Sequence, residues 1–109
     1  MSPSSPPSQL VQLYFVDSAQ KLERLDAKLQ AENPDYHEID QLVHQFKGSS
    51  ASFGAQAIAQ LCVSLRELCQ QQNAAGCRAC LEQTKQTFGQ LQSKLQVFMQ
   101  LESRRKAVS

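Results

Sequence analysis

Residues 35–55 read DYHEIDQLVHQFKGSSASFGA, and this stretch decides the fold. Apolar or small side chains recur in it three and four residues apart, a spacing typical of a helix with one buried stripe. Asp35 suits the N-cap, Glu38 completes a variant of the capping box, and Gly54 supplies a stop or a kink. The predicted stripe consists of Ile39, Leu42, Phe46, Ser49 and Phe53. The segment therefore predicts one amphipathic helix.

Three further segments repeat this spacing. The first, ending near Asn33-Pro34, carries Val11, Phe15, Ser18, Leu22, Leu25 and Leu29. The third in chain order, stopping at residues 73–76, carries Ile58, Leu61, Leu65 and Leu68. The last carries Cys77, Leu81, Thr84, Phe88, Leu91, Leu95 and Phe98. Because the connections are short, neighbours should be antiparallel, and the predicted fold class is all-α, an up-down four-helix bundle.

The length of 109 residues and the 41% hydrophobic content predict a single domain. Residues 1–8, MSPSSPPS, offer almost nothing to bury and are interpreted as a flexible leader. The bundle is assigned to residues 9–103, and residues 104–109 form a basic C-terminal tail.

Eleven Lys and Arg residues against ten Asp and Glu give a net charge of +1, which lacks the basic field of a nucleic-acid-binding protein. The chain has no apolar run of the roughly 18 residues needed to span a membrane, and its start lacks the features of a secretory signal. We therefore expect a soluble, intracellular protein with neither nucleic acid nor membrane as partner.

Four cysteines, two of them in a C-x-x-C, fall within helical pattern with no histidine near them in sequence. We expect buried or half-buried thiols and no metal site, because the loops of a zinc ribbon are missing. A redox role needs a thiolate in an electropositive setting at a helix N-terminus, for which only Cys77, after Gly76, is a candidate.

His44 is the first candidate functional residue. At about 100° per residue it falls opposite the centre of the apolar stripe, so it should face water. Lys47 follows three residues later and Gly48 one full turn later. An accessible neutral imidazole, a nearby cation and a small neighbour are what a phosphoryl carrier needs. The alternative is a solvated histidine beside a glycine that only permits close helix packing; His37 is assigned no role.

The run VHQFKGSSASFGA, residues 43–55, resembles the His-Gln-x-Lys-Gly-Ser-Ser signature of plant histidine-containing phosphotransfer proteins. The resemblance extends from about Leu10 to Leu101 and includes FVDS at residues 15–18 and QNAAGC at residues 72–77. It implies the same helical bundle, of the HPt type, with a phosphorylated histidine.

The resemblance implies that His44 is the phosphoacceptor, that Gln45 and Lys47 flank it, and that Gly48 leaves room for a docked partner. Two residues one turn before His44, Asp40 and Gln41, are added to the predicted docking set.

The partners implied by the resemblance are receiver domains of hybrid sensor histidine kinases and of response regulators, in cytokinin-type signalling. The receiver would supply Mg²⁺, so no cofactor and no metal are assigned to this chain. It would act as a carrier rather than an autonomous enzyme, since no nucleotide-binding motif is present. Cytoplasm and nucleus are the expected locations.

The departure from the family lies at the N-terminus, where relatives usually carry a further helical segment that we expect to be missing here. The first helix begins with an apolar surface nearly all round, formed by Leu10, Leu13, Tyr14 and Val16. This surface leaves two alternatives to a monomeric carrier: a receiver-docking module with impaired transfer, and a structural bundle that dimerises through it.

Overall fold

The computed structural model describes residues 7–108, with side chains described from Gln9 to Val97, and this range forms four α-helices. They are α1 (Pro7–Gln30), α2 (Tyr36–Phe53), α3 (Gln56–Gln70) and α4 (Ala74–Val108). The all-α prediction is confirmed. Helix α1 begins two residues inside the segment interpreted as a leader, and residues 1–6 of that segment lie outside the described residues.

The ends of α2 are set by local hydrogen bonds. The Asp35 side chain accepts from the backbone N–H groups of His37 at 3.1 Å and Glu38 at 3.2 Å, as its N-cap position predicts. Gly54 adopts φ 98°, a left-handed conformation that glycine enters without steric cost. The chain therefore turns sharply after Phe53 and starts α3 almost at once.

The boundary between α3 and α4 corrects one prediction. Helix α3 ends at Gln70, and the Asn73 side chain accepts a hydrogen bond of 2.9 Å from the Gly76 backbone N–H. Asn73 therefore caps α4, and residues 74–76 form its first turn instead of the predicted break. At its other end α4 continues to Val108, through most of the segment interpreted as a basic tail, whose side chains lie outside the described residues.

Consecutive helices run antiparallel. Between α1 and α2, the Tyr14 hydroxyl lies 2.7 Å from Ser50 Oγ, whereas Lys28 pairs with Glu38 at 3.3 Å, so the contacts advance in opposite directions. The same opposite order holds between α3 and α4 and between α1 and α4. The up-down bundle is confirmed.

Two predicted stripes need correction inside the core. Tyr14 is buried rather than exposed, because its ring stacks on Phe53 with centroids 4.1 Å apart. Its hydroxyl contacts Ser50, and so Ser50, rather than Ser49, occupies the buried position on α2. Val43 joins the core as well.

The remaining apolar residues at the start of α1 stay on the surface. Leu10, Leu13 and Val16 are 51%, 63% and 58% exposed. This exposure agrees with the predicted uncovered surface. Between Pro7 and Val108, no helix is both long and apolar enough to cross a membrane.

Candidate functional site

His44 lies in the middle of α2 on the side away from the core, and it is exposed as predicted. The residues on either side of it in sequence differ in their environment: Val43 is fully buried and Gln45 is exposed. Consecutive residues lie about 100° apart around an α-helix, so neighbours in sequence can face the core and the solvent. The packing of Val43 therefore fixes α2 while the imidazole remains open to a partner.

A charged residue from the next helix holds the imidazole. The Arg66 guanidinium on α3 places Nη1 3.0 Å from His44 Nδ1. The same guanidinium binds Asp40 through both carboxylate oxygens, with Nε–Oδ1 at 2.9 Å and Nη2–Oδ2 at 3.2 Å. A two-point pair of this kind fixes the plane of the guanidinium as well as its position. Asp40 thus orients Arg66, and Arg66 orients His44.

The contact with Arg66 also determines where the ring proton lies. A guanidinium has no acceptor, so Nδ1 of His44 must accept in this hydrogen bond. The tautomer that satisfies this contact carries its proton on Nε2. Nε2 is the ring nitrogen that Arg66 does not engage.

The pair formed by Asp40 and Arg66 is itself maintained by charge. Hydrogen bonding from Arg66 is the main reason that the pKa of Asp40 lies below its usual value, and partial burial opposes this effect. The same hydrogen bonds raise the pKa of Arg66. Asp40 is therefore ionised at neutral pH and remains available to hold the guanidinium.

Lys47 is a second cation of the predicted site, three residues after His44 on α2, and it is half-buried. Its positive charge slightly lowers the pKa of the Cys62 thiol on α3, but burial outweighs this effect and raises that pKa to about 12. A lysine at this position carries a charge of the sign that can neutralise the oxygens of a phosphoryl group.

Gly48 occupies open space. Apart from the neighbouring backbone of α2 itself, a Cβ built on Gly48 would meet no atom within 4 Å, so close helix packing does not account for this glycine. Gly76 is the contrasting case, because a Cβ there would approach Asn73 to 2.7 Å and Leu68 to 2.8 Å. The structure therefore excludes the packing explanation for Gly48 and leaves bare backbone one turn beyond His44.

The other predicted docking residues, Gln45, Gln41 and Asp40, lie in different environments. Gln45 is exposed and adjacent to His44 in sequence. The Gln41 amide lies 3.3 Å from Nε2 of His37, so its described contact is with the first turn of α2. Asp40 contacts Arg66, and its surroundings make it a support for the site rather than a free surface carboxylate.

Arg66 is the site residue that sequence reasoning missed. It follows His44 by 22 residues and belongs to another helix, so no local motif connects the two. A signal was nevertheless available, because His44 and Arg66 are nearly equidistant from the turn at Gly54. In an antiparallel helical hairpin, residues equidistant from the turn lie side by side.

The burial of the cysteines agrees with the sequence prediction. Cys62, Cys69 and Cys77 are buried, Cys80 is half-buried, and all four are free thiols. Among the residues whose side chains are described, no three or more His, Cys, Asp or Glu residues are grouped so that they could hold a metal ion.

Comparison with known proteins identifies the family that this chain resembles. The family model for the Hpt domain matches residues 9–94. Histidine-containing phosphotransfer protein 1 of Arabidopsis thaliana is 41% identical over 87% of this chain and 62% of its own length. Protein 4 of the same series in that plant is 39% identical over 81% of this chain and 69% of its own length. The chain spans 61–65% of the length of the first curated relatives it matches.

Solved structures give the same result. The maize histidine-containing phosphotransfer protein superposes with a TM-score of 0.82 at 37% identity, covering 86% of this chain and 76% of that one. The corresponding protein from Medicago truncatula gives 0.92 at 29% identity, covering 100% and 76%. The fold is thus that of an Hpt domain. The chain belongs to the family of plant histidine-containing phosphotransfer proteins.

Proposed function

We propose that His44 accepts a phosphoryl group from the aspartyl phosphate of a hybrid sensor kinase's receiver domain and passes it to the receiver aspartate of a response regulator. The observation that carries this proposal is an exposed imidazole held from one side by the Asp40–Arg66 pair, with open backbone at Gly48 beside it. A cytokinin-type pathway, with the protein in cytoplasm and nucleus, is the setting we propose from its family membership.

We assign the attack to Nε2. Arg66 covers Nδ1, whereas Nε2 is left for the partner. Attack requires the tautomer in which Nε2 has a free lone pair, so the ring proton first passes through water from Nε2 to Nδ1, and Nδ1 releases its hydrogen bond from Arg66. The Nε2 lone pair then forms the N–P bond, the P–O bond to the receiver aspartate breaks, and the carboxylate leaves with its electron pair. Loss of the Nδ1 proton to water gives the neutral product, in which Nδ1 again accepts the hydrogen bond from Arg66.

The two cations, Arg66 and Lys47, have separate roles in this scheme. Arg66 holds the ring, and Lys47 supplies positive charge for the equatorial oxygens of the transferring group. The Mg²⁺ and the catalytic carboxylates belong to the receiver domain, so the chain is a phosphoryl carrier that transfers only together with its partner.

The test is transfer of labelled phosphate from a phosphorylated plant-type receiver domain, in Mg²⁺, to the wild-type protein and to His44→Gln. Samples are kept at neutral to alkaline pH because the N–P bond is acid-labile. We expect label on the wild type alone, mapped to Nε2. Label on neither protein, with circular dichroism showing both folded, would favour a docking module without productive transfer.

One observation favours a second role, that of a self-associating bundle. Leu10, Leu13 and Val16 form an exposed apolar surface at the start of α1. Sedimentation at increasing protein concentration separates the two proposals. A monomer at all concentrations supports the carrier alone, and a dimer lost in Leu13→Lys supports association through this surface.

A further inference from the structure

Two cysteines meet at the turn between α3 and α4, away from the proposed chemistry at His44. Cys69 lies in the last turn of α3 and Cys77 in the first turn of α4. Their sulfur atoms are 3.8 Å apart, and both side chains are almost completely buried. A disulfide requires a sulfur separation of about 2.05 Å, so the pair needs to close by less than about 2 Å.

We propose that Cys69 and Cys77 are an oxidative modification site, at which peroxide converts the two thiols into an intramolecular disulfide across the α3–α4 turn. The proposal rests on the pairing of these two side chains and is independent of phosphoryl transfer.

The reaction balances with hydrogen peroxide as the oxidant. The thiolate of one cysteine attacks a peroxide oxygen, an S–O bond forms, the O–O bond breaks, and the departing hydroxide takes up a proton to become water. The second sulfur then attacks the sulfenic acid, the S–S bond forms and the S–O bond breaks. The second hydroxide takes the remaining thiol proton. Two electrons pass from the thiols to peroxide, which leaves as two waters.

Cys77 is the better attacking group of the two. Burial raises the pKa of its thiol, but a hydrogen bond from Cys69 and the charge of Arg78 oppose this effect. Burial raises the pKa of Cys69 to about 12, and the neighbouring Cys77 adds to this. Cys77 also lies in the first turn of α4, where the helix macrodipole favours an anion. The thiolate therefore forms more readily on Cys77, and Cys69 resolves the sulfenic acid.

Access to peroxide comes through the turn. Residues 71–73, which join the two helices, are exposed, and Gln72 adopts φ 54°, a left-handed conformation that costs energy for a residue with a side chain. Local opening at such helix ends requires much less free energy than global unfolding. Oxidation should therefore proceed in the folded protein, at a rate limited by opening of this turn.

The experiment treats the folded, reduced protein with hydrogen peroxide, blocks free thiols with an alkylating reagent at neutral pH, and maps the peptides by mass spectrometry without reduction. We expect a Cys69–Cys77 cross-linked peptide with a loss of about two mass units. Reduction should restore both thiols to the alkylating reagent. A cross-link between any other pair, oxidation to sulfinic acid without a cross-link, or no reaction would each overturn the proposal.

Variants provide matched controls. Cys69→Ala and Cys77→Ala should each lose the cross-link, and Cys62→Ala, which removes a cysteine that is equally buried, should retain it. Oxidised wild type should also melt at a higher temperature than the reduced form, because the cross-link restricts the unfolded chain. This difference should disappear in Cys69→Ala. Peptide mapping of the wild type decides the proposal even if a variant folds poorly.

Discussion

The two histidines of α2 are both exposed and lie two turns apart, yet their surroundings differ. His37, in the first turn, contacts the Gln41 amide of its own helix at 3.3 Å. His44, in the middle, receives a hydrogen bond at 3.0 Å from a guanidinium on another helix, which a carboxylate holds in place. Exposure makes a histidine available, but only a tertiary charge network gives it a fixed orientation.

The largest expected effect is on phosphoryl transfer, when each histidine is replaced by glutamine. His44→Gln should reduce receiver-dependent labelling by ~100-fold or more, because an amide has no nucleophilic nitrogen to replace the imidazole. His37→Gln should keep wild-type labelling. Rates come from labelled-phosphate transfer at matched protein concentration. Loss of labelling in both variants would mean that the comparison between the two histidines is mistaken.

The second effect concerns the guanidinium that distinguishes the two sites. Arg66→Ala should slow transfer by about tenfold, since the ring loses its orienting donor. Arg66→Lys should recover only part of the rate, because an ammonium cannot bind Asp40 through two parallel hydrogen bonds. Arg24→Ala, on the exposed side of α1, is the matched control. Equal rates in Arg66→Ala and Arg24→Ala would remove Arg66 from the site.

The third comparison is between alanine substitutions at two glycines, and it distinguishes an effect on partner docking from an effect on stability. Gly48 and Gly89 both lie within helices with open space where a Cβ would be. Alanine at either position should raise the free energy of unfolding by about 0.5–1 kcal/mol, measured by urea titration. Only Gly48→Ala should also slow transfer, by about threefold, because only that methyl group meets the partner. Unchanged transfer in Gly48→Ala would leave the glycine without a docking role.

The smallest effect is on the pH dependence of stability. Arg66 lowers the pKa of Asp40, so the folded protein binds a proton there less readily than the unfolded chain. The stabilisation is complete above the ordinary carboxyl pKa of about 3.9 and is lost as pH falls through the lowered value. Asp40→Asn should lower the melting temperature by a few degrees at most at neutral pH, as expected of a partly exposed pair. The two melting curves should converge as the pH falls below the lowered pKa of Asp40, and a constant gap would show another origin.

Local patterns predicted most of the fold. The four helices, the N-cap at Asp35 and the turn at Gly54 depend on residues within a few positions of one another, so the sequence alone contains the necessary information. The error at residues 74–76 has the same local origin, since Asn73 can either end one helix or cap the next.

The buried serine of α2 and the contact of Arg66 with His44 depend on packing between helices, which cannot be predicted from one segment of sequence alone. Ser49 and Ser50 are chemically the same, and the structure shows that Ser50 is the one that is buried, in contact with the hydroxyl of Tyr14. His44 could be placed from its own helix, whereas Arg66 required the pairing of α2 with α3. The positions of the α2 residues were therefore predictable from their own helix, whereas Arg66 could be placed only by pairing α2 with α3 about the turn between them.

The sharp turn at Gly54 also has a kinetic consequence. The members of the Asp40–Arg66–His44 network are separated by only 22 and 26 residues and belong to one helical hairpin. The entropy lost in closing a loop grows slowly with its length, and folds with local contacts form quickly. The network should therefore assemble with the α2–α3 hairpin during folding, before α1 and α4 complete the bundle, and a stopped-flow study of Arg66→Ala would show slower folding if it does.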